Sequence, residues 1–336
     1  MPWTQGKAAV KGGEGMGETI LTVRGLKTYL YAKDGMVPAV DGLDLQLERG
    51  ETLCIVGESG CGKSTAALSI MGLIPASEGR IEQCEIIFKG RNLANLSREE
   101  MRGIRGREIS MIFQEPMTSL NPVLTIGRQV SEVFMAHRGL NRNEAMKETI
   151  QMLSLVGIPE PERRVREYPH QLSGGMRQRV MIAMALSCRP DVLIADEPTS
   201  ALDVTVQAQI LQLIKELKDR LGTAVILITH DLGVVAEAAQ RVLVMYAGRA
   251  VEYCDVNGLF DNPRHPYTRG LLASVPGHRN HGQRLDVMDG SAPNLRDLPG
   301  GCRFYPRCRY ARGMCRTSEP EFVDIGEGHL CACHLI

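Results

Sequence analysis

The sequence of 336 residues predicts an α/β fold in which apolar strands alternate with helices. A glycine-rich turn separates the apolar run 53–56 from a helical segment at 65–71, and near-continuous apolar runs at 192–195 and 224–228 are typical of buried strands. Alternating apolar residues at 19–47 predict an antiparallel β subdomain before this core. Helical periodicity at 126–157 predicts a helical subdomain, and clustered cysteines predict a cysteine-rich C-terminal extension.

The composition is ordinary for a globular protein, with 43% hydrophobic and 23% charged residues. Lys and Arg together number 39, as do Asp and Glu, so a formal net charge of zero gives no bulk reason to expect nucleic acid or an anionic membrane as partner. No run of about 18 apolar residues occurs, so we do not expect a membrane span. Residues 1–18 are polar and Gly-rich without the apolar core of a signal peptide, which predicts a flexible tail and a cytosolic protein.

Two N-terminal strands lead into the glycine-rich turn. Residues 19–31 are rich in β-forming side chains, Asp34 and Gly35 predict a hairpin turn, and the alternation resumes as far as Leu47. Tyr29 or Tyr31 could stack against a purine ring, and each could equally be a surface aromatic residue of a strand.

The glycine-rich turn has the pattern of a phosphate-binding loop between a strand and a helix. The predicted nucleotide-binding residues in it are Gly57, Glu58, Ser59, Gly60, Cys61, Gly62, Lys63, Ser64 and Thr65. The glycines let backbone N–H groups converge on phosphate oxygens, and the helix N-terminus adds partial positive charge. We expect Lys63 to contact the β- and γ-phosphates and Ser64 to bind Mg²⁺. The alternative is a glycine turn without a ligand.

Two further polar residues follow predicted strands after this loop. Residues 81–88 predict a strand, and Ser97 opens a short helix with a capping box. A strand at 108–113 ends at Gln114, which could reach Mg²⁺ or the attacking water, although alone it is an ordinary polar residue.

A second helix N-terminus suited to an anion follows the helical segment 126–157. Ser173, Gly174 and Gly175 open a helix that runs to about Ser187. A single helix start of this kind is a weak signal by itself.

Two adjacent carboxylates follow the buried strand 191–195. Asp196 is placed to hold Mg²⁺, and Glu197 could orient and deprotonate the attacking water, although both could be solvated loop residues. Asp203 then precedes an amphipathic helix at 204–221.

His230 follows the next buried strand, 224–228, at the same predicted edge of the sheet. A lone histidine there is more often a structural hydrogen-bonding group, and the neighbouring carboxylates favour a catalytic role. Two strands at 241–245 and 250–253 then predict a final hairpin with its turn near Gly248.

Ten cysteines in a reducing compartment are not expected to form disulfides. The scattered ones, predicted to be small core or loop residues, are Cys54, Cys61, Cys84, Cys188 and Cys254. The clustered ones are Cys302, Cys308, Cys315, Cys331 and Cys333. A short segment with few aromatic residues rarely folds without a cross-link or a bound metal, so a metal centre is the simplest explanation of the clustered cysteines. Zinc, an iron–sulfur cluster and unliganded thiols remain open, although zinc sites usually use CxxC pairs.

Taken together, these motifs resemble the ATP-binding subunit of an ABC transporter over roughly residues 19–276. The motifs are GESGCGKS, Gln114, LSGGMRQ, VLIADE, SALD and His230. The resemblance implies a head-to-tail pair of subunits in which Ser173, Gly174 and Gly175 close over ATP on the partner's phosphate loop. It implies that Glu197 is the general base, that His230 holds the γ-phosphate and water, and that Asp203 communicates across the pair. Gln114 and Asp196, with Ser64, would hold Mg²⁺.

Three later phrases are similar to those of dipeptide and oligopeptide importer ATPases, whose relatives also carry nickel chelates. They lie at 113–122, 262–272 and 301–308. Relatives with this tail bind a [4Fe–4S] cluster, and the family pattern selects Cys302, Cys308, Cys315 and Cys333, with Cys331 as an extra residue. The implied partners are a second ATPase subunit, usually a paralogue, two transmembrane permease subunits and, indirectly, an extracytoplasmic solute-binding protein. The implied location is the cytoplasmic face of the cell membrane. Nucleic acid is not an implied partner.

The expected organisation is a tail at 1–18, an ATPase domain at 19–276 with a helical subdomain at about 115–188, and an oligopeptide-transporter-type extension at 277–336. The alternatives are nickel or metallophore import by the same family, a non-transport ABC ATPase, and an iron–sulfur redox sensor. A non-transport ATPase of DNA repair or translation would carry a long coiled-coil insertion or tandem domains, and a redox sensor would not need Glu197 and His230.

Overall fold

The computed structural model describes residues 17–33, 35–82, 84–114, 119–200, 202–274 and 288–336. The predicted tail up to residue 16, Asp34 of the hairpin, the loop 115–118, Ala201 and the start of the predicted extension lie outside these residues. The chain divides into two compact units. The first comprises residues 1–48, 52–94 and 229–336, and the second comprises 49–51 and 95–228.

The described strands and helices alternate along much of the chain. The strands are β1 (Thr19–Ala32), β2 (Gly35–Glu48), β3 (Thr52–Val56), β4 (Gly79–Ile81), β5 (Glu85–Phe88), β6 (Arg91–Asn92), β7 (Ile109–Ile112), β8 (Val192–Asp196), β9 (Ala224–Ile228), β10 (Arg241–Tyr246), β11 (Arg249–Asp255), β12 (Val323–Asp324) and β13 (Leu330–Cys331). The helices are α1 (Lys63–Ile70), α2 (Arg98–Ile104), α3 (Ile126–Arg138), α4 (Arg142–Leu155), α5 (Pro161–Arg164), α6 (Gly174–Leu186), α7 (Val204–Leu221), α8 (Leu232–Ala238), α9 (Val256–Asp261), α10 (Pro266–Ala273) and α11 (Met314–Thr317).

An antiparallel sheet in the order β2-β1-β5-β6 belongs to the first unit, with β4 also paired to β1. Alternating apolar residues of β1 and β2 are fully buried, as the sequence pattern predicts. The single strand predicted at 81–88 is wrong, because β4 and β5 pair with different stretches of β1. β4 lies opposite Thr28–Leu30 and β5 opposite Leu21–Arg24, and the pairing of β1 with β2 shifts register between Val23 and Leu26. Both pairings keep one register, and the interruption between β4 and β5 lies opposite residues 25–27 of β1, beside the shift against β2, where a β-bulge disturbs the ladder.

The phosphate-loop strand β3 lies parallel to β10 in the same unit. β10 pairs antiparallel with β11, which confirms the predicted final hairpin, and β11 pairs with β13 at the C-terminus. The chain's last described segment therefore returns to the strands that support the loop.

Three parallel strands in the order β7-β8-β9 lie in the second unit. All residues of β8 and β9 are buried, and both strands and α7 have the predicted bounds within one residue. Ser97 forms the predicted capping box at the start of α2, and the helix predicted from Ser173 to about Ser187 is α6. Within the described ranges, we find no helix that combines the length and apolarity needed to cross a membrane.

Candidate nucleotide site

The phosphate loop is shaped by glycines that no other residue could replace without strain. Gly57 has a φ of +153° and Gly62 a φ of +103°. A Cβ atom at Gly57 would lie 2.2 Å from the Met245 carbonyl oxygen, and one at Gly62 would lie 2.2 Å from the Ala39 carbonyl oxygen. Backbone from β10 and β2 therefore fills the space behind the loop, which explains why the turn needs glycine at both positions.

Lys63 lies against the backbone of the loop. Its side chain is buried, and its ammonium group donates hydrogen bonds to the carbonyl oxygens of Gly57 at 2.7 Å and Glu58 at 3.0 Å. Cys61 is also buried, and its carbonyl oxygen accepts a hydrogen bond from the Gly248 N–H at 2.9 Å. The ammonium group thus lies where a phosphate-binding loop requires a cation.

A cavity of about 430 Å³ adjoins the first residues of the loop. Its lining includes Gly57, Glu58, His230 and Asp231. His230 follows Thr229, whose N–H donates to the Ile55 carbonyl oxygen of β3 at 3.2 Å. The first unit therefore brings the predicted histidine to the same cavity as the start of the phosphate loop.

Gln114 and Glu197, two predicted catalytic residues, meet in the second unit. The side-chain amide of Gln114 donates to a carboxylate oxygen of Glu197 at 3.0 Å. Ser200 Oγ donates to the carbonyl oxygens of both residues, each at 3.0 Å. Glu197 has a φ of +44°, and its N–H donates to the Ile228 carbonyl oxygen at 2.9 Å. A non-glycine residue in this conformation is uncommon, and such strain is often found at functional sites.

The other predicted residues of the second unit lie at element ends. Asp196 is the last residue of β8 and is 3% exposed. Ser173 is the exposed N-cap of α6, and its hydroxyl accepts the Met176 N–H at 3.3 Å. Asp203 is the N-cap of α7 and accepts the Val206 N–H at 3.0 Å. The helix N-terminus at Gly174 is exposed, as an anion site between subunits requires.

Tyr29 lies on the strand pair that borders the phosphate loop. It is half-buried on β1 opposite Pro38, one residue before the Ala39 carbonyl that lies against Gly62. The Arg80 guanidinium lies 6.0 Å from the centre of its ring. The ring therefore has a cationic neighbour, and the strand pair that carries it borders the backbone of the loop.

The C-terminal segment contacts the phosphate loop directly, which the sequence analysis did not anticipate. The Arg307 guanidinium donates to both carboxylate oxygens of Glu58, at 2.9 and 3.0 Å. The Tyr267 hydroxyl accepts the Glu58 N–H at 2.9 Å. Both residues lie in the phrases that resembled importer ATPases, but we assigned neither a role. The phrases HPYT and CRFYPRC distinguish these two residues in the sequence, but such phrases do not by themselves indicate a contact with the loop.

Four of the five tail cysteines, Cys302, Cys308, Cys315 and Cys333, are those that the family pattern selects. The Arg312 backbone N–H donates to the Cys315 sulfur at 3.4 Å. Burial raises the pKa of the Cys302 thiol to about 11, opposed by hydrogen bonds from two such N–H groups. Cys331 is fully buried, and burial and the charge of Glu252 are the main causes of its raised pKa. In the part of the chain that the structure describes, these four sulfurs do not form a group within 4.8 Å of one another.

One other cluster offers ligand atoms, namely Glu252, Cys254 and His329. The fully buried Glu252 carboxylate accepts the N–H groups of Arg264 at 2.6 Å and His265 at 2.9 Å, and His329 Nε2 lies 2.7 Å from it. Three hydrogen-bonding partners satisfy a buried carboxylate, so this cluster needs no ion to explain it. It holds the chain around β13 against β11.

Comparisons with known proteins agree with these motifs. The ABC transporter family model matches residues 40–200, and the model of the oligopeptide/dipeptide transporter C-terminal region matches residues 251–315. A probable peptide ABC transporter ATP-binding protein of Sinorhizobium fredii is 55% identical, with 94% of this chain and 95% of the relative covered. The oligopeptide transport ATP-binding protein AppD of Bacillus subtilis is 51% identical, with 94% and 97% covered.

Solved structures of ABC ATP-binding cassettes are also similar to this chain. The ATP-binding cassette MJ0796, in a dimeric post-hydrolysis state bound to ADP and Pi, matches with a TM-score of 0.63 and 28% identity. The match covers 70% of this chain and 99% of that one. With relatives at this level of identity over almost their whole length, this chain belongs to the family of peptide-transporter ABC ATP-binding proteins.

Proposed function

We propose that this chain is the ATP-binding and ATP-hydrolysing subunit that energises an ABC importer of di- and oligopeptides. The observation that carries the proposal is the glycine-shaped loop with the buried Lys63 ammonium on its carbonyl oxygens. The Gln114–Glu197 pair adds a carboxylate and an amide suited to hydrolysis. The relatives are named as peptide, oligopeptide and dipeptide transport ATP-binding proteins, and this supports the peptide substrate class.

Each predicted site residue has a role in this proposal. Lys63 and the loop from Gly57 to Thr65 bind the phosphates, and Tyr29 stacks on the adenine ring. Mg²⁺ would be held by Ser64, Gln114 and Asp196, and would neutralise charge on the phosphates. Glu197 orients the attacking water and takes its proton, and His230 contacts the γ-phosphate.

The working form is a pair of ATPase subunits. Ser173, Gly174 and Gly175 of one subunit bind ATP on the phosphate loop of the other, and Asp203 lies at the shared interface. The exposed start of α6 and the dimeric state of MJ0796 support this arrangement. We propose the same division of the chain as from sequence, with a tail at 1–18, an ATPase domain at 19–276 and an extension at 277–336. The helical subdomain at about 115–188 would attach the pair to two permease subunits at the cytoplasmic face, with a solute-binding protein outside.

We further propose that Cys302, Cys308, Cys315 and Cys333 bind a [4Fe–4S] cluster. The family pattern selects these four residues, and the Arg312 N–H donates to the Cys315 sulfur, a kind of hydrogen bond that tunes such centres. Zinc bound by the same thiolates is the alternative. When bound, the cluster would tie the C-terminal segment together.

Replacement of Glu197 by Gln tests the ATPase assignment. We expect Glu197→Gln to bind ATP like the parent and to lose at least about 100-fold of its hydrolysis rate, because a general base contributes about 10²–10⁴-fold. Phosphate release and equilibrium binding of ATP measure the two effects. A variant that hydrolyses ATP at the parental rate would remove Glu197 from its proposed role.

Anaerobic purification tests the metal centre. We expect about four iron atoms per chain and visible absorbance in the parent, both lost in Cys308→Ser and retained in Cys84→Ser. Colourless protein that contains zinc would contradict the cluster assignment.

A further inference from the structure

Glu58 is an acidic residue inside a loop that binds a polyanion. Its carboxylate belongs to the second residue of the phosphate loop. Lys63, which we expect to contact the phosphates, follows five residues later. A carboxylate near a nucleotide phosphate opposes binding unless a cation compensates its charge. The loop therefore contains a charge that works against its own ligand.

Arg307 compensates that charge from the C-terminal segment. Two of its nitrogens bind the two carboxylate oxygens of Glu58, at 2.9 and 3.0 Å, in the bidentate geometry that suits arginine. The Arg307 side chain is only 8% exposed and that of Glu58 25%, so solvent screens this pair less than a surface pair. The ion pair spans 249 residues of sequence and joins the tail to the loop.

The position of Arg307 is fixed by groups that also hold the loop. Its Nε donates to the Asp289 carbonyl oxygen at 3.1 Å, and its Nη1 lies 3.4 Å from the Tyr246 hydroxyl. Tyr246 packs against Tyr267, with ring centres 4.6 Å apart, and the Tyr267 hydroxyl accepts the Glu58 N–H at 2.9 Å. Glu58 is thus bound through its carboxylate by Arg307 and through its backbone N–H by Tyr267.

The tail around Arg307 is anchored at a second point. Phe304 is buried, and its ring lies 5.2 Å from that of Tyr246 and 5.5 Å from that of Tyr267. Arg303 donates to the Asp41 carboxylate and to the Ala247 carbonyl oxygen. The segment from 303 to 307 therefore has a defined place beside the loop.

We propose that Arg307 is a positioning residue of the nucleotide site, which compensates the charge of the Glu58 carboxylate while Tyr267 holds the backbone of the loop at Glu58. The C-terminal segment is then part of the ATP site of its own chain. This inference rests on the proposed function, because it assumes that the loop binds a nucleotide.

Binding of ADP with Mg²⁺, measured by titration calorimetry on the full chain, tests the proposal without turnover. We expect Arg307→Met to bind ADP about tenfold more weakly, because it leaves the Glu58 charge uncompensated. Arg307→Lys keeps the charge but loses the bidentate geometry, so its affinity should lie between those of the parent and of Arg307→Met. Arg309→Met is the matched control, since Arg309 lies two residues away, is 55% exposed and pairs with Asp289. It should bind ADP like the parent.

The double variant Glu58→Gln/Arg307→Met distinguishes the loss of charge compensation from a structural effect of removing Arg307. Removal of both charges should restore most of the affinity that Arg307→Met loses, which a merely structural role of Arg307 does not predict. Parental affinity in Arg307→Met, equal weakening in Arg309→Met, or no recovery in the double variant would each overturn the proposal. If Arg307→Met does not fold, Arg307→Gln takes its place, and parental affinity there would overturn the proposal. A parent chain that binds no ADP would contradict the proposed function instead.

Discussion

The glycines of the phosphate loop show how single residues are dictated by neighbouring backbone. Gly60 and Gly62 both have positive φ values, +80° and +103°. A Cβ at Gly60 would meet nothing within 4 Å, whereas one at Gly62 would lie 2.2 Å from the Ala39 carbonyl oxygen. A side chain at either position would therefore require an unfavourable backbone conformation, and only a side chain at Gly62 would also collide with neighbouring backbone.

This difference predicts unequal stability of two alanine variants. We expect Gly60→Ala to lose about 1 kcal/mol of unfolding free energy for the left-handed backbone, and Gly62→Ala to lose about 2 kcal/mol more because backbone must move. Denaturant unfolding of both variants measures the difference. Equal destabilisation would show that the Ala39 backbone yields without cost.

Asp41 gives a pH-dependent test at the same scale. Burial raises the pKa of this carboxyl, and the hydrogen bonds and charges of Arg249 and Arg303 outweigh it, so the pKa lies below its ordinary value of 3.8. A carboxyl with a lowered pKa stabilises the fold above its unfolded pKa, and the stabilisation is lost as pH falls through the folded pKa. We expect Asp41→Asn to cost about 2 kcal/mol at pH 7 and progressively less below about pH 4. Unfolding at both pH values measures this, and a cost independent of pH would exclude the ion pairs as its cause.

At the scale of elements, α6 combines a structural and a functional N-terminus. Ser173 caps this helix in the same way as Ser97 caps α2. Replacement of either serine by alanine should cost about 1 kcal/mol of stability, because each removes an N-cap. The exposed cap of α6 is proposed to act across the subunit pair, so the two variants should differ in activity.

We expect Ser173→Ala to lower ATP hydrolysis by at least about tenfold, with ADP binding to its own phosphate loop unchanged. Ser97→Ala should retain both activities at a similar loss of stability. Steady-state hydrolysis, ADP titration and thermal unfolding provide the three readouts. If both variants lose hydrolysis equally, the effect of Ser173 is one of stability and its role between subunits is wrong.

Local patterns predicted most elements because each pattern was complete within a few residues. β9 and α7 have the predicted bounds, since a continuous apolar run and an amphipathic period leave little choice. The segment 81–88 was predicted as one strand, because nothing within it reveals that the pairing of β1 with β2 shifts register beside its interruption. Pairing of a strand depends on its partner, and the sequence of one strand does not report that partner.

The same limit explains which site residues could be predicted. The phosphate loop, Glu197 and His230 each follow a strand, and their position at a strand end indicates chemistry. Arg307 contacts Glu58 across 249 residues, so no local pattern predicts the pair. The aromatic packing of Tyr246 and Phe304 has the same cause, since only the folded chain brings them together.

At the scale of the whole molecule, the tail cysteines and the phosphate loop form one connected system in the first unit. Cys302 and Cys308 flank the segment that carries Arg303 and Arg307, and the Cys302 N–H donates to the Cys315 carbonyl oxygen at 2.9 Å. A metal centre on these cysteines would restrict that segment and reduce the entropy lost when Arg307 binds Glu58. Nucleotide affinity should therefore depend on the metal.

We expect metal-free protein, prepared with a chelator under anaerobic conditions, to bind ADP several-fold more weakly than the metal-loaded parent, because a less restricted segment engages Glu58 for a smaller part of the time. In Arg307→Met the same treatment should cause little further loss, since the contact through which the metal acts is already absent. Cys308→Ser should match the metal-free parent, and Cys84→Ser, changed at a half-buried cysteine outside the tail, should match the loaded parent. ADP titration with parallel metal analysis measures all four. Equal affinity with and without metal would show that the tail holds the loop through its aromatic and ionic contacts alone, and an additive loss in Arg307→Met would show that the metal acts through another route.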